Sequence, residues 1–440
     1  MVGSPVDQDR IVPESASRVV TRMNSSGQRR AVITGLGTVT NVGADVDTFW
    51  RNITSGVSGI DTITAFPQSD DWPVTIAGEV REWDASKYID SRELKRMDRF
   101  CAMGLHAACE AAADCGIDFT SGDPYRRGVA IGSGIGGIIT IEQGHGRLLS
   151  DGPRKMSPFT VPRLMVNATA GNVSIRYNLR GFNIATATAC ATGGHAIGAA
   201  FRAIERGDAD VIFAGGAEAA VSPLCVGSFS AMKALSTRND DPTRASRPFD
   251  RDRDGFVLAE GAAIIVVEEL EHAKARGARI HAEILGFGAT GDAGHIAAPD
   301  PEGRGAQRAM EIAIQDAGIN LDQVGYINAH GTSTPLGDAA EVRAIKNAFG
   351  DHAAKLAVGS TKSMTGHALG AAGGIESVVA ILSVKHNVVP PTINVDQPDE
   401  GFDLDFVAHV AQERTVDYAL NNTFGFGGHN VCLVFGKYTG

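Results

Sequence analysis

From Ala31 onward the chain alternates short β-branched, apolar runs with alanine- and glycine-rich stretches of helical periodicity. Ala31–Thr34, Gly128–Ile131, Ile184–Ala189, Val211–Ala214, Ala263–Glu268, Gly325–Ala329, Ala357–Gly359 and Val431–Phe435 read as strands. His195–Arg206, Gln307–Ala317 and Ala339–Phe349 read as helices between them. Such alternation confines the chain to βαβ units in a layered α/β fold. The stretch from Ala368 to Lys385 is apolar on nearly every side, so it is expected to be a buried helix. A strand ending in a reactive-looking residue, then a small-residue helix, occurs near 190 and again near 330. This echo suggests two similar halves, with the ARGAR turn around Gly277 and Ala278 as their boundary. The expected division is a mobile tail over 1–29, a first half over 30–278 and a second over 279–440.

Composition removes several function classes. With 43% hydrophobic and 21% charged residues the chain can bury a large core. Apolar runs such as Ala262–Val267 fall far short of the roughly 20 residues a bilayer span needs, so no membrane insertion is expected. A formal net charge of −11 argues against general nucleic-acid binding. An acidic partner would need a local basic patch. The six cysteines form no CxxC pair, which excludes a disulfide scaffold or zinc ribbon and fits a reducing cytoplasm. Residues 1–29 lack the apolar core of a secretory signal, and Asp7, Asp9 and Glu14 count against a transit peptide. Met23 is an alternative start.

Two motifs mislead. Gly132, Gly134 and Gly137 fit G-x-G-x-x-G after a strand. A dinucleotide site also needs a long helix opening there and an acidic residue after the next strand. The stretch instead runs into His145, Gly146 and the SDGPRKMSP loop. A tight loop beside a buried site is therefore favoured over nucleotide binding. Asp250, Asp252, Asp254 and Gly255 match the opening of an EF-hand loop, but the position of the bidentate Glu is Gly261 and Glu260 misses it by one. The alternating Asp and Arg residues read instead as an internal ion-pair network.

Four segments carry chemistry. In IATATACATGGHAIGAAFRAIE, Cys190 sits between a strand and a helix with Ile197, Phe201 and Ile204 on one side. This follows the logic of a nucleophile elbow with sulfur in place of oxygen. A helix N-terminus favours the thiolate and can lower a thiol pKa from about 8.5 toward neutrality. The alternative is a small buried cysteine. In VGYINAHGTSTPLGD a strand ends at His330, with Thr332 and Thr334 beside it. Asp338 and Glu341 there resemble an N-cap and its reciprocal Glu. In GSTKSMTGHALGAAGGIE, His367 opens a helix, whose positive end would keep the imidazole neutral. Glu376 needs a partner in this apolar helix, and Lys362 is the candidate. Gly370, Gly373 and Gly374 each cost a helix roughly 1 kcal/mol against alanine, which implies close helix packing. Last, NNTFGFGGHN is either a glycine turn between terminal strands or a bare loop facing substrate, with Phe424 or Phe426 as a movable wall.

In this order TACATGG, RPFDRDRDGF, NAHGTSTPLGD, TKSMTGHALGAAGG and NNTFGFGGHN closely resemble the β-ketoacyl-acyl-carrier-protein synthases, condensing enzymes of fatty-acid synthesis. The resemblance spans about residues 30–438. A Cys-His-His set separates the chain from thiolases and initiating synthases, which use Cys-His-Asn or Cys-His-Cys. KSMTGH and the STRNDD segment at 236–241 look most like the type II elongating form. The resemblance implies a thiolase-like α/β fold, two pseudo-symmetric βαβαβαββ halves in five αβαβα layers, assembled as a homodimer. It implies decarboxylative condensation of an acyl-enzyme with malonyl-carrier protein to a 3-oxoacyl product. Cys190 would accept the acyl group, and His330 and His367 would bind the malonyl thioester carbonyl. The Cys190 and Phe426 N–H groups would form the oxyanion hole, while Lys362 and Glu376 order the site. Phe256 would line the decarboxylation pocket, Phe426 would gate the acyl tunnel, and Ile135 would lie at the tunnel's far end by the dimer interface. No metal or organic cofactor is expected, since phosphopantetheine arrives on the carrier; the family does suggest a structural cation near Asn328 and Glu376. Lys95, Arg96 and Arg99, Arg154 and Lys155, and Lys233 would dock the acidic carrier protein. A polyketide ketosynthase and a non-catalytic chain-length partner are the competing readings.

Overall fold

The computed structural model describes residues 29–440; the expected tail, apart from Arg29, lies outside them. Arg29 hydrogen-bonds Ala209 O and pairs with Asp210. Ten strands join into one mixed sheet. The first half supplies β1 (Ala31–Thr40), β2 (Arg127–Gly132), β3 (Asn183–Ile184), β4 (Val211–Ala219) and β5 (Glu260–Glu269). The second supplies β6 (Ala282–Gly291), β7 (Val324–Asn328), β8 (Ala357–Gly359), β9 (Tyr418–Gly425) and β10 (His429–Gly436). Their order is β8-β7-β9-β10-β6-β1-β5-β4-β2-β3. Each half thus repeats one pattern: third, second, fourth, fifth, first strand. Within each, the second strand pairs in parallel with the third and fourth, and the rest pair antiparallel. The halves meet through a short antiparallel seam, Ala31–Ile33 against Ala282–Ile284.

Helices complete five layers. Helix α1 (Arg99–Cys115) covers the outer face of the first half-sheet. Helices α3 (Arg304–Ala317) and α4 (Pro335–Phe349) pack together outside the second. Helices α2 (Thr192–Arg206) and α5 (Ala372–His386) lie between the half-sheets and touch each other. Residues 372–384 of α5 are all buried, as the apolar run requires. The crossing of α2 and α5 is backbone on backbone: a Cβ on Gly193 would lie 2.6 Å from Gly374 N, and one on Gly373 2.5 Å from Gly194 N.

Strand β1 runs six residues beyond the expected Thr34, because Gly35 and Gly37 interrupt its β-branched pattern without ending it. Those glycines let α1 sit against the sheet: a Cβ on Gly37 would be 2.0 Å from Ala107 O. The second half repeats the device, with Gly288 against Ala309 O at 2.0 Å. Conversely, the strand expected over Ile184–Ala189 is regular only at Asn183–Ile184. The echo also needs correction. Cys190 follows the third strand of its half, whereas His330 follows the second strand of the other. The counterpart of the Cys190 turn is the turn at Leu369–Ala371, after β8 and before α5.

Candidate active site

Cys190 sits in a 3₁₀ turn, Ala189–Ala191, that runs directly into α2. Ala189 is left-handed, φ 48°, a conformation that non-glycine residues adopt at a cost and that recurs at functional turns. Thr192 Oγ1 accepts from Thr188 N at 2.8 Å and closes the turn. The terminal hairpin lies on top of it. A Cβ on Gly425 would fall 2.8 Å from Thr188 O and 3.0 Å from Cys190 N, so only glycine lets this loop approach. The Phe426 and Cys190 backbone N–H groups lie close enough to the sulfur to favour its charged form. The expected near-neutral thiol is corrected: burial pushes Cys190 up to about 12, against the opposing pull of Lys362 and the two N–H groups.

His330 and His367 stand edge to face, ring centroids 5.3 Å apart. Their backbones are fixed differently. His330 N and Gly331 N donate to Glu341 at 2.9 and 2.7 Å. The capping box expected from Asp338 and Glu341 does not form. Helix α4 already begins at Pro335, with Thr334 as N-cap, and proline is well suited to that first position. Asp338 instead lies buried inside the first turns and accepts from Phe249 N and Ser333 N. His367 does not open a helix. It bridges to Leu258, donating to Val257 O at 2.8 Å and accepting from Ala259 N at 3.0 Å. Both imidazoles are held neutral, His330 by burial, Lys362 and His367, and His367 by burial and Lys362. The neutrality is as expected; its cause is burial beside a lysine. Nδ1 of each ring is buried without a partner. Lys362 and Glu376 form the anticipated buried ion pair, and burial raises Glu376 to about 7.

One cavity of about 580 Å³ collects these groups. Cys190, His330, His367, Thr332, Thr334 and Phe256 all line it, as do Ile135, Phe424 and Phe426. Thr332 Oγ1 and Thr334 Oγ1 lie 3.0 Å apart. Phe229, which belongs to none of the motifs, also lines the cavity. It begins a chain of ring contacts running Phe229, Phe256, His367, His330, Phe424, with centroid separations of 5.3–5.7 Å. A second missed element is the 292–300 loop at the mouth, whose Ile296 O accepts from Gly427 N at 2.7 Å. Its GDAGHIAAPD composition was the available signal.

The basic residues divide. Lys95, Arg96, Arg154, Lys155 and Lys233 are exposed, and Lys233 stands at the cavity mouth. Arg99 is withdrawn from the patch: its guanidinium grips Glu260 and donates to Val80 O. The RPFDRDRDGF segment forms the expected ion network, Arg247 with Asp250 and Asp396, and Arg253 with Asp338 and Asp399. At G-x-G-x-x-G a long helix does open, Ile138–Asp151, contrary to expectation. The amides of Gly134 and Ile135 nevertheless point at a carboxylate, Glu218. Asn328 Oδ1 and Glu376 Oε2 are buried acceptors without a partner, a donor set that fits a hard cation. Among the described residues no group of three or more His, Cys, Asp and Glu could hold a metal, and no helix is long and apolar enough to cross a membrane.

Comparison with known proteins agrees with this geometry. Residues 28–273 match the β-ketoacyl synthase N-terminal domain and residues 281–396 its C-terminal domain. The 3-oxoacyl-[acyl-carrier-protein] synthase 2 of Coxiella burnetii is 52% identical over 93% of this chain and 99% of its own length. That of Staphylococcus aureus is 51% identical over 94% and 99%. A β-ketoacyl synthase structure from Burkholderia phymatum superposes with a TM-score of 0.85 at 36% identity, covering 93% of this chain and all of that one. A type II polyketide ketosynthase solved with its acyl-carrier protein gives 0.87 at 34%, covering 94% of this chain and 100% of that one. Matched in both halves and over nearly its whole length, the chain belongs to the β-ketoacyl synthase family.

Proposed function

We propose that this protein is a 3-oxoacyl-[acyl-carrier-protein] synthase of the second, elongating type. It condenses an acyl-enzyme with malonyl-carrier protein and releases CO2 and a 3-oxoacyl-carrier protein. The observation that carries the reading is a single cavity that gathers a buried cysteine, the Phe426 loop and two neutral histidines.

The steps follow from these groups. Cys190 Sγ attacks the acyl thioester of the carrier's phosphopantetheine arm. A new C–S bond forms, the carrier's C–S bond breaks, and the cysteine proton ends on the departing thiol. Because the thiol is buried, its deprotonation must accompany attack rather than precede it. Thr332 and Thr334 offer hydroxyls to the amides of the arm. Malonyl thioester then enters, and cleavage of its carboxylate bond leaves an enolate. Neutral imidazoles of His330 and His367 donate to the enolate oxygen without supplying a proton that would quench it. The carbanion attacks the acyl carbonyl on Cys190, whose oxyanion meets the Cys190 and Phe426 N–H groups. One such donor contributes about 2.7–4 kcal/mol. The intermediate collapses, the C–S bond to Cys190 breaks, and the departing thiolate takes a proton from water to restore the thiol. Phe256, edge-on to His367, keeps water from the departing carboxylate. Ile135 bounds the acyl chain. Lys362 and Glu376 hold the histidine loops in place. A monovalent cation at Asn328 Oδ1 and Glu376 Oε2 would balance charge there; no step runs through it.

Exposed Lys95, Arg96, Arg154, Lys155 and Lys233 support docking of an acidic carrier. Lys95→Glu with Arg96→Glu should raise KM for carrier-linked substrate, and an unchanged KM would remove these residues from the interface. Homodimerisation is supported by exposed Leu149 and Ile141 on the 138–151 helix and Val161 on the helix packed against it. Sedimentation should give twice 46.0 kDa. A reducing cytoplasmic setting fits six unpaired cysteines. The polyketide reading is favoured by structural likeness to ketosynthases such as that one, at lower identity than the synthase 2 relatives. The test is intact mass after incubation with acyl-carrier protein thioesters. Wild type should gain one acyl group and Cys190→Ala none; an unmodified wild type would turn the reading toward a non-catalytic partner.

A further inference from the structure

Glu218 closes strand β4 and is fully buried, yet no step above uses it. Its carboxylate takes four donors. Oε1 accepts from Ser133 Oγ at 2.6 Å and Ile135 N at 3.2 Å. Oε2 accepts from Gly134 N at 2.7 Å and Gly370 N at 3.0 Å. An ionised carboxylate is acceptor-only with about four lone-pair sites, so the set is full. These donors come from two loops on different halves of the molecule. One carries Ile135 and the other carries Leu369, and both side chains line the cavity around Cys190.

We propose that Glu218 is a positioning residue: it pins the Ile135 loop and the Leu369–Gly370 turn as two fixed walls of the acyl cavity and thereby sets which chain lengths Cys190 accepts. The inference rests on the acyl-enzyme reading above. The two oxygens are not equivalent, and this yields a selective test. In Glu218→Gln one oxygen becomes an NH2 group. Placed at Oε2, it would face the Gly134 and Gly370 N–H groups. Placed at Oε1, it would face the Ser133 hydroxyl, which can turn to accept, and the Ile135 N–H. The second orientation opposes one donor rather than two, so the amide adopts it. The substitution therefore releases Ile135 while Gly134 and Gly370 stay tethered.

Two measurements on the full chain test this. Hydrogen exchange should rise about tenfold for the peptide around Ile135 in Glu218→Gln and stay unchanged around Gly370. Acylation of Cys190, followed by intact mass, should lose discrimination between hexanoyl and dodecanoyl carrier protein by about threefold or more. Unchanged exchange at Ile135 overturns the tether. Raised exchange with an unchanged chain-length ratio overturns the role in selectivity. So does parallel slowing of both substrates, which packing loss alone would cause. A wild type that takes no acyl group at any length overturns the acyl-enzyme reading and the selectivity claim with it; the exchange result separates that failure from failure of the tether. Where Glu218→Gln does not fold, Ser133→Ala tests the same loop, with exchange read at Gly136 and the same chain-length ratio. It keeps the carboxylate but removes the hydroxyl that donates to Oε1 and accepts from Gly136 N at 2.8 Å.

Discussion

The two halves each contain a strand-to-helix turn of nearly identical backbone, and only one of them presents a nucleophile. Ala189 and Leu369 both adopt left-handed φ, 48° and 45°. Each opens a three-residue 3₁₀ turn that runs straight into a central helix. The next residue is Cys190 in the first half and Gly370 in the second. The difference lies in what stands opposite. Cys190 looks into the cavity. A Cβ at Gly370 would lie 2.3 Å from Gly134 N and 2.7 Å from Glu218 Oε2. The same turn thus serves as a reactive centre where space is open and as a packing joint where it is filled. The second turn contributes by other means: its segment brings Lys362, whose charge acts on Cys190, His330 and His367 alike.

The comparison breaks hardest at Lys362. Lys362→Met strands Glu376 in the interior and should cost about 3–5 kcal/mol of stability by denaturant titration, with activity falling too. Next come the paired turn positions. Gly370→Ala should destabilise by about 2–3 kcal/mol, because backbone opposes the new methyl. Cys190→Ala should move stability by less than about 1 kcal/mol while abolishing acyl uptake. Equal stability losses would mean the two turns are not packed differently. The preceding residues sharpen the contrast further. Leu369→Gly loses a buried side chain and should cost about 2 kcal/mol or more. Ala189→Gly relieves a left-handed alanine and should be neutral or stabilising by less than about 1 kcal/mol.

The smallest effect is a pH dependence. His330 and His367 have folded pKa values well below the ordinary histidine value. Below about pH 6.5 the unfolded chain therefore binds more protons than the folded one, and stability falls as pH falls. Melting temperature should drop between pH 7.5 and 5.5 more steeply for wild type than for the His330→Asn, His367→Asn double variant. Parallel curves would mean the rings are not held neutral.

Much of this was legible in the sequence, for local reasons. Every expected strand but Ile184–Ala189 has a strand at its core, since branched runs bounded by glycine encode strands directly. The Cys190 and His330 segments announced themselves by strand-end position and small neighbours, and the His367 segment by its glycines and an expected helix start that does not form; the structure brings all three to one cavity. What was not legible depends on partners far along the chain. Arg99 looked like a surface cation until Glu260 closed on it. The start of α4 was missed although Pro335 marked it, because Asp338 and Glu341 imitate a cap. Cys190 was expected near neutrality from its helix; burial, which only the assembled layers create, reverses that. Pairing 190 with 330 matched reactive-looking residues, whereas symmetry follows strand order and pairs 190 with a glycine.

The crossing of α2 and α5 has a consequence for synthesis. The glycine surface of α2 begins near Gly193, and its cover begins near Gly373, about 180 residues later. At roughly 5–20 residues per second, the nascent first half waits about 9–36 s for that partner. During this interval the face around Gly193, Gly194 and Gly198 lacks the Gly374, Val431 and Phe287 that later close on it. The first half emerges early, and this face of it closes only when the C-terminal helix arrives.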